Sequence, residues 1–182
     1  TGMVLTVQPP VDLPGLHELG AGRLVLLADG PDGYRSLCRL SSALQARPDR
    51  VEALQRGVTW ADLRANRDGL ICLAGGRMDW LQTLLAGEDQ SAALGYVARL
   101  AGVFDAKLSL AQERPGGTGG SFGPQIHDLA RRFGVGTVAV QPIYTLFPNE
   151  KPKLKLLAAM DRNCRVQDVP ASALPDGGDP DV

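Results

Sequence analysis

Five short apolar runs set the limits on what this chain can fold into. They fall at residues 3–8, 24–28, 69–74, 106–110 and 137–141, each of strand length. Between them lie stretches with helical spacing and recognisable ends. Asp29 is placed to cap a helix with Pro31 in its first turn, and Tyr34, Leu37, Cys38, Leu40, Ser41 and Leu44 recur on one face until Pro48. Short apolar strands alternating with helices call for βα units and a mostly parallel sheet, an α/β fold.

The remaining helices read in the same way. Thr59 caps a short turn with Trp60 and Leu63 on one side. A helix over 78–86 ends at Gly87, a candidate left-handed C′ glycine. Asp89 caps the next, whose apolar stripe Ala93, Leu94, Val97, Leu100 and Ala101 stops at Gly102. Ser121 and Pro124 open a helix with Ile126, Leu129, Ala130 and Phe133 inward and Gly134 at its end, and a last helix runs from Asn149 to about Asp161. Residues 1–170 read as one domain and 171–182, rich in Pro, Gly and Asp, as a disordered tail. The connection between residues 45 and 69 carries the least pattern.

Composition excludes several classes. With 44% hydrophobic residues the chain can build a core, and no apolar run is long enough to span a membrane. Residues 1–7 show no basic segment followed by an apolar one, so no secretory signal is read there, and a cytoplasmic location is the expectation. A formal net charge of −1 gives no overall attraction to nucleic acid. Lys151, Lys153, Lys155, Arg162 and Arg165 read as a solvated face, and 5% aromatic residues make a poor stacking platform. Cys38, Cys72 and Cys164 lack the spacing of a disulfide framework or a zinc knuckle.

Candidate chemistry is sparse. The glycine-rich segment 116–121 has no lysine of a phosphate-binding loop and reads as a linker. His17 and His127 have no Cys, His, Asp or Glu at metal-ligand spacing. No serine sits in a nucleophile elbow, and Cys72 reads as a small buried hydrophobe. Trp60 and Trp80 read as half-buried anchors. Asp79, Asp105 and Glu113 lie near strand ends but are too dispersed to pair.

Several stretches in one collinear order resemble a known family. Residues 23–28 (RLVLLA) with 33–40 (GYRSLCRL) are similar to the "LxLLA…GYxNLCRL" segment of bacterial C-family DNA polymerases. Residues 69–76 (GLICLAGG) with 84–87 (LLAG) resemble "GLIALSGC…LLLxG". Residues 129–135 (LARRFGV) with Val138-Ala139 resemble "LARRLGIPLVAT", and Pro148-Asn149-Glu150 with 156–160 fits the helix that follows. The matching family region is the N-terminal PHP (polymerase and histidinol phosphatase) domain of the polymerase III alpha subunits and their error-prone paralogues. The resemblance covers about residues 2–170 and implies an incomplete or distorted (β/α)7 barrel with mostly parallel strands.

The family's metal ligands do not carry over. Its opening His motifs precede the first residue here. Val4 stands where the family has Glu, Arg23 where many relatives have His, and Gly76 where many have Cys. Another family His falls at about Glu113. The family's Asn-Asp-Val-His becomes Gln141-Pro142-Ile143-Tyr144, so Pro142 replaces Asp and Tyr144 replaces His. Valine and proline offer no ligand atoms, and neutral tyrosine is a poor substitute for imidazole. No metal or other cofactor and no catalytic residue is therefore expected.

The resemblance implies a non-catalytic scaffold associated with a C-family DNA polymerase in replication or error-prone repair synthesis. Its partners would be a polymerase body, in cis or in trans, and in some relatives a proofreading exonuclease, with DNA engaged only indirectly. Two alternatives remain. One is a PHP phosphoesterase completed by another segment or subunit. The other is a small-molecule or nucleotide binder whose emptied pocket is lined by Arg23, Gly76, Glu113, Gln141 and Tyr144. A partial barrel also leaves a sheet edge that homodimerisation would cover.

Overall fold

The computed structural model describes residues 1–13, 15–76, 79–113, 122–140 and 144–174. They form two compact units, the first from 1–113 and 122–140, the second from 144–174. In the first unit β1 (Gly2–Val7), β2 (Gly22–Ala28), β3 (Leu70–Ala74), β4 (Leu108–Glu113) and β5 (Gly136–Val140) form one open sheet. Around it lie α1 (Gly15–Glu18), α2 (Gly30–Gln45), α3 (Arg50–Arg56), α4 (Trp60–Ala65), α5 (Trp80–Ala86), α6 (Gln90–Phe104) and α7 (Gly123–Phe133). The second unit holds α8 (Lys151–Asp161) between turns of 3-10 helix, one of which spans Ala171–Ala173 inside the expected tail.

Strand order follows the chain, β1-β2-β3-β4-β5, as a barrel segment would. The direction differs from expectation. β1 to β2 and β2 to β3 are antiparallel, while β3 to β4 and β4 to β5 are parallel, so half of the ladders are parallel rather than most. A parallel pair needs a crossover, usually one helix, and two connections here are of another kind. Residues 8–21 fold back with only the four-residue α1. The path from β2 to β3 carries three helices and a bridge between Val7 and Val58, sealed by Gln8 N to Val58 O at 2.9 Å and Val58 N to Thr6 O at 2.9 Å.

Alternation along the strands puts Leu5, Val7, Leu24, Leu26, Cys72 and Leu110 on the face that carries the core. Against it pack Leu37 and Leu40 of α2, Val97 and Leu100 of α6, and Ile126 of α7. Each such leucine, taken out of water, contributes about 2 kcal/mol. On the opposite face Val25, Leu27, Ile71 and Leu73 are half-buried and Val4 is 60% exposed. Strands that are apolar on both sides explain why these runs read as continuous rather than alternating.

A close backbone contact reinforces the pairing of β2 with β3. The start of α2 lies on the turn before β3, where Asp29 N donates to Gly69 O at 2.7 Å and Ser36 Oγ to Asp68 O at 2.8 Å. A Cβ on Gly33 would sit 2.0 Å from Gly69 O, and Gly69 itself has φ +65. No side chain fits between these backbones.

Several expectations shift locally. Asp29 occupies the N-cap of α2 but makes no capping bond; its Oδ2 accepts from Lys107 Nζ at 2.6 Å. Gly87 has φ −82, and the left-handed residue is Glu88 at +58. Helix α6 runs through Gly102 to Phe104 because Val103 and Phe104 are buried. The fourth strand starts at Leu108, two residues late, after a 3-10 turn at Asp105–Lys107.

Replacing Gly33 with Ala should destabilise the fold by about 3 kcal/mol through overpacking. Gly102, helical and with open space around it, should gain about 0.5–1 kcal/mol on replacement by Ala. Urea midpoints of the two variants check both signs.

Candidate functional site

β1 runs in the same direction as β3, β4 and β5, so their C-terminal ends share one edge of the sheet with the start of β2. That edge is where α/β proteins gather ligands. Arg23, Gly76 and Glu113 all come to it: Arg23 opposite Thr6, Gly76 in the turn after β3, and Glu113 opposite Val140 at the end of β4. Three of the five pocket residues expected from sequence thus lie along this one edge. Gln141 lies outside the described residues, as does Pro142. Tyr144 belongs to the second unit and is exposed.

The face leading to that edge holds little chemistry. One row crosses the whole sheet as Val4, Val25, Leu73, Ser109 and Gly136, each paired with the next. Two valines, a leucine and a glycine supply no ligand atom, and a serine hydroxyl is a weak one. Nearer the edge, Thr6 pairs with Arg23, a cation, and Ala111 with Val138. Among the described residues no three His, Cys, Asp or Glu side chains converge. The metal cluster that the resemblance would imply does not fit these residues.

The ionisable group that the edge does organise is Asp79, which the sequence showed only as one dispersed carboxylate. It caps α5 and is 4% exposed. Its Oδ2 accepts from Gly75 N at 2.7 Å and its Oδ1 from Leu81 N at 3.0 Å, so one carboxylate ties the end of β3 to the first turn of α5. Gly75 has φ +98, which aims its N–H at that carboxylate. Gln82 Nε2 closes the turn from the other side by donating to Gly75 O at 2.8 Å. A capping Asp two residues before the first core leucine was the available signal, and only burial separates it from an ordinary exposed cap.

Behind Asp79 stands an aromatic cluster. The Tyr96 ring meets Trp80 edge-on at 5.4 Å and Trp60 at 6.4 Å between centroids. Trp80 Nε1 donates to Gly20 O at 3.1 Å and Trp60 Nε1 to Gln8 O at 2.8 Å, which pins both ends of the 8–21 connection. Trp80 is fully packed, beyond the half-burial expected, while Trp60 is half-buried as read. The Arg99 guanidinium lies 5.4 Å over Trp60 and pairs with Asp12. Arg99 Nε is buried without a hydrogen-bond partner among the described residues. The Tyr96 hydroxyl is buried near the Asp79 carboxylate but makes no hydrogen bond of normal geometry among the described residues.

Burial dominates the electrostatics here. Desolvation pushes the Asp79 carboxyl up to about 6, against the lowering pull of the backbone amides and of Tyr96. Desolvation likewise raises the Cys72 thiol, with the Asp79 charge adding to it, so Cys72 stays protonated and inert.

Since the folded pKa of Asp79 lies above the unfolded value of 3.8, the folded state binds the proton more tightly. Its stabilising contribution is complete below pH 3.8 and is lost as pH rises through 6. A shift of this size corresponds to about 3 kcal/mol. Melting temperature should therefore rise as pH falls from 7 to 5, and Asp79→Asn should flatten that slope. Carboxylates with lowered values, such as Asp49 at about 2 beside Arg47 and Arg56, titrate below this window. Calorimetry at stepped pH reads the difference.

Among known proteins the chain is similar to DNA polymerase III subunit alpha of Bacillus subtilis (strain 168), with 26% identity over 159 residues. The aligned stretch covers 87% of this chain and 14% of that protein. No family model matches the sequence. A relation to a DNA polymerase III alpha subunit, at low identity and over a small part of its length, is what the comparison supports.

Proposed function

We propose that this chain is a non-catalytic, PHP-like scaffold domain that associates with the body of a C-family DNA polymerase and serves DNA replication or error-prone repair synthesis. The observation that carries this reading is the row Val4, Val25, Leu73, Ser109, Gly136, which crosses the sheet face at the level of the Val4 position. Two-metal phosphoester hydrolysis needs imidazole and carboxylate ligands to activate water and to hold the phosphoryl oxygens. That row offers neither. The similarity to a polymerase alpha subunit supports the context, and the sequential strand order agrees with a segment of a barrel.

On this reading Arg23 and Glu113 mark the mouth of a barrel-derived sheet that lacks the family's ligands. The body it engages is in cis or in trans, and DNA is reached through that body. The net charge of −1 agrees with an indirect role.

Metal analysis of the purified protein should find well under one zinc or manganese ion per chain. Chelation with EDTA should leave the melting temperature unchanged. Stoichiometric metal, with a chelator-sensitive phosphatase activity, would overturn the scaffold reading. Titration calorimetry against a C-family polymerase body lacking its own N-terminal domain should show binding, and the absence of heat at micromolar concentrations would count against association.

A further inference from the structure

Exposed apolar side chains are unevenly placed. Seven of the thirteen large ones among the described residues lie within 144–166, in the second unit. Three of these fall on one side of α8: Leu156 at 49%, Leu157 at 60% and Met160 at 70% exposure. With Lys153 they follow the spacing i, i+3, i+4, i+7, a single helical stripe. The buried side of the helix carries Ala159 instead. A helix with a small residue inward and three of its four large apolar residues outward presents a face for another surface.

The stripe also carries charge with an order. Lys153 lies one helical turn before Leu157, and Asp161 one turn after it. A parallel neighbour of the same sequence would set lysine beside lysine. An antiparallel one sets Lys153 beside Asp161 twice, and places Leu157 against its own counterpart. Lys153 also pairs with Glu150 at 2.6 Å, but that contact is exposed and leaves the ammonium able to donate to a second carboxylate. Glu150 in turn accepts from the Leu146 and Phe147 amides at 3.2 and 3.3 Å, so two further exposed apolar side chains are tied to the start of α8.

We propose that α8 is a homodimer interface: it pairs antiparallel with α8 of a second copy of this chain, about a two-fold axis at Leu157. The arrangement is isologous, with the same patch on both copies, and its charge pattern is self-complementary. This inference does not rest on the polymerase reading, since it uses only the second unit's own residues.

The test starts from Cys38→Ser/Cys164→Ser, which removes the two exposed thiols. In that background Leu157→Cys should give a disulfide-linked dimer on mild oxidation, because the axis brings the two positions within bonding reach. Lys155→Cys, which points away from the stripe, should not. Sedimentation equilibrium should show a dimer that Lys153→Asp weakens by about tenfold or more through like-charge repulsion. The exchange Lys153→Asp/Asp161→Lys should restore it. Circular dichroism should be unchanged in all variants, as every altered position is on the surface or half-exposed. A chain that stays monomeric at high micromolar concentration overturns the proposal, and so does a dimer that the charge exchange fails to rescue. A monomer whose Leu157→Asp variant loses heat against the polymerase body assigns the stripe to that body instead. Loss of dimer with polymerase binding intact would leave the scaffold reading standing alone.

Discussion

The backbone contact between Gly33 and Gly69 is the constraint on which the rest of the first unit depends. β2 leads directly into α2, and α2 must lie close enough to the turn before β3 for Asp29 N to reach Gly69 O. That approach brings Gly69 O to 2.0 Å from where a Cβ on Gly33 would stand. Only with both glycines can β3 settle beside β2 in register, Leu70 opposite Ala28. β3 is the strand from which the parallel half of the sheet grows, and its far end positions Gly75 for Asp79. Two residues without side chains therefore govern the placement of the candidate edge. Residues 33–40 and 69–76, two of the stretches on which the sequence resemblance was read, are the two that make this contact. A physical need for close approach gives a reason for the resemblance there.

Much of this was legible in the sequence, and what was not has identifiable causes. All five strands were readable because apolar runs of strand length bounded by Pro, Gly or caps have few other uses in a chain of this composition. The helices α4, α6 and α7 were readable from caps that the structure retains, among them the reciprocal Thr59 and Asp62 bonds and the left-handed Gly134, and α2 from its apolar spacing and Pro31. Strand direction was not readable. It depends on how the chain returns, and the helix α3 with the Val7–Val58 bridge sits where the sequence carries no strong periodicity. Asp29 shows a second kind of limit: its capping chemistry was right for the position, but a lysine seventy-eight residues later, Lys107, competes for the carboxylate.

The candidate edge was legible as a set of positions and not as an environment. Arg23, Gly76 and Glu113 lie along it, since strand order and direction carry them there. Asp79 was visible only as a helix cap. Its importance comes from burial behind Tyr96 and Trp80, and burial depends on residues from β3, α5 and α6 together. A protein that keeps a carboxylate with a raised pKa at the hinge between a strand end and a helix bears a cost in stability at neutral pH. The benefit is geometric, because a single anion satisfies amides from both elements and fixes the angle between them.

The two faces without internal partners differ in what they demand. The open sheet face is broad, apolar and half-buried, with Ser109 at the start of β4 and Thr6, Arg23 and the Glu113 position towards the mouth. Such a face suits packing against a body of chain, which is what a scaffold within a polymerase would supply. The α8 stripe is narrow, with Lys153 near one end and Asp161 near the other. Under a two-fold axis a single set of residues supplies both sides of the contact and two Lys153–Asp161 pairs. Small apolar patches with opposite charges at their two ends are therefore better matched to a copy of themselves than to an unrelated surface. That economy of sequence is the reason to assign the stripe to self-pairing and the sheet face to the larger partner.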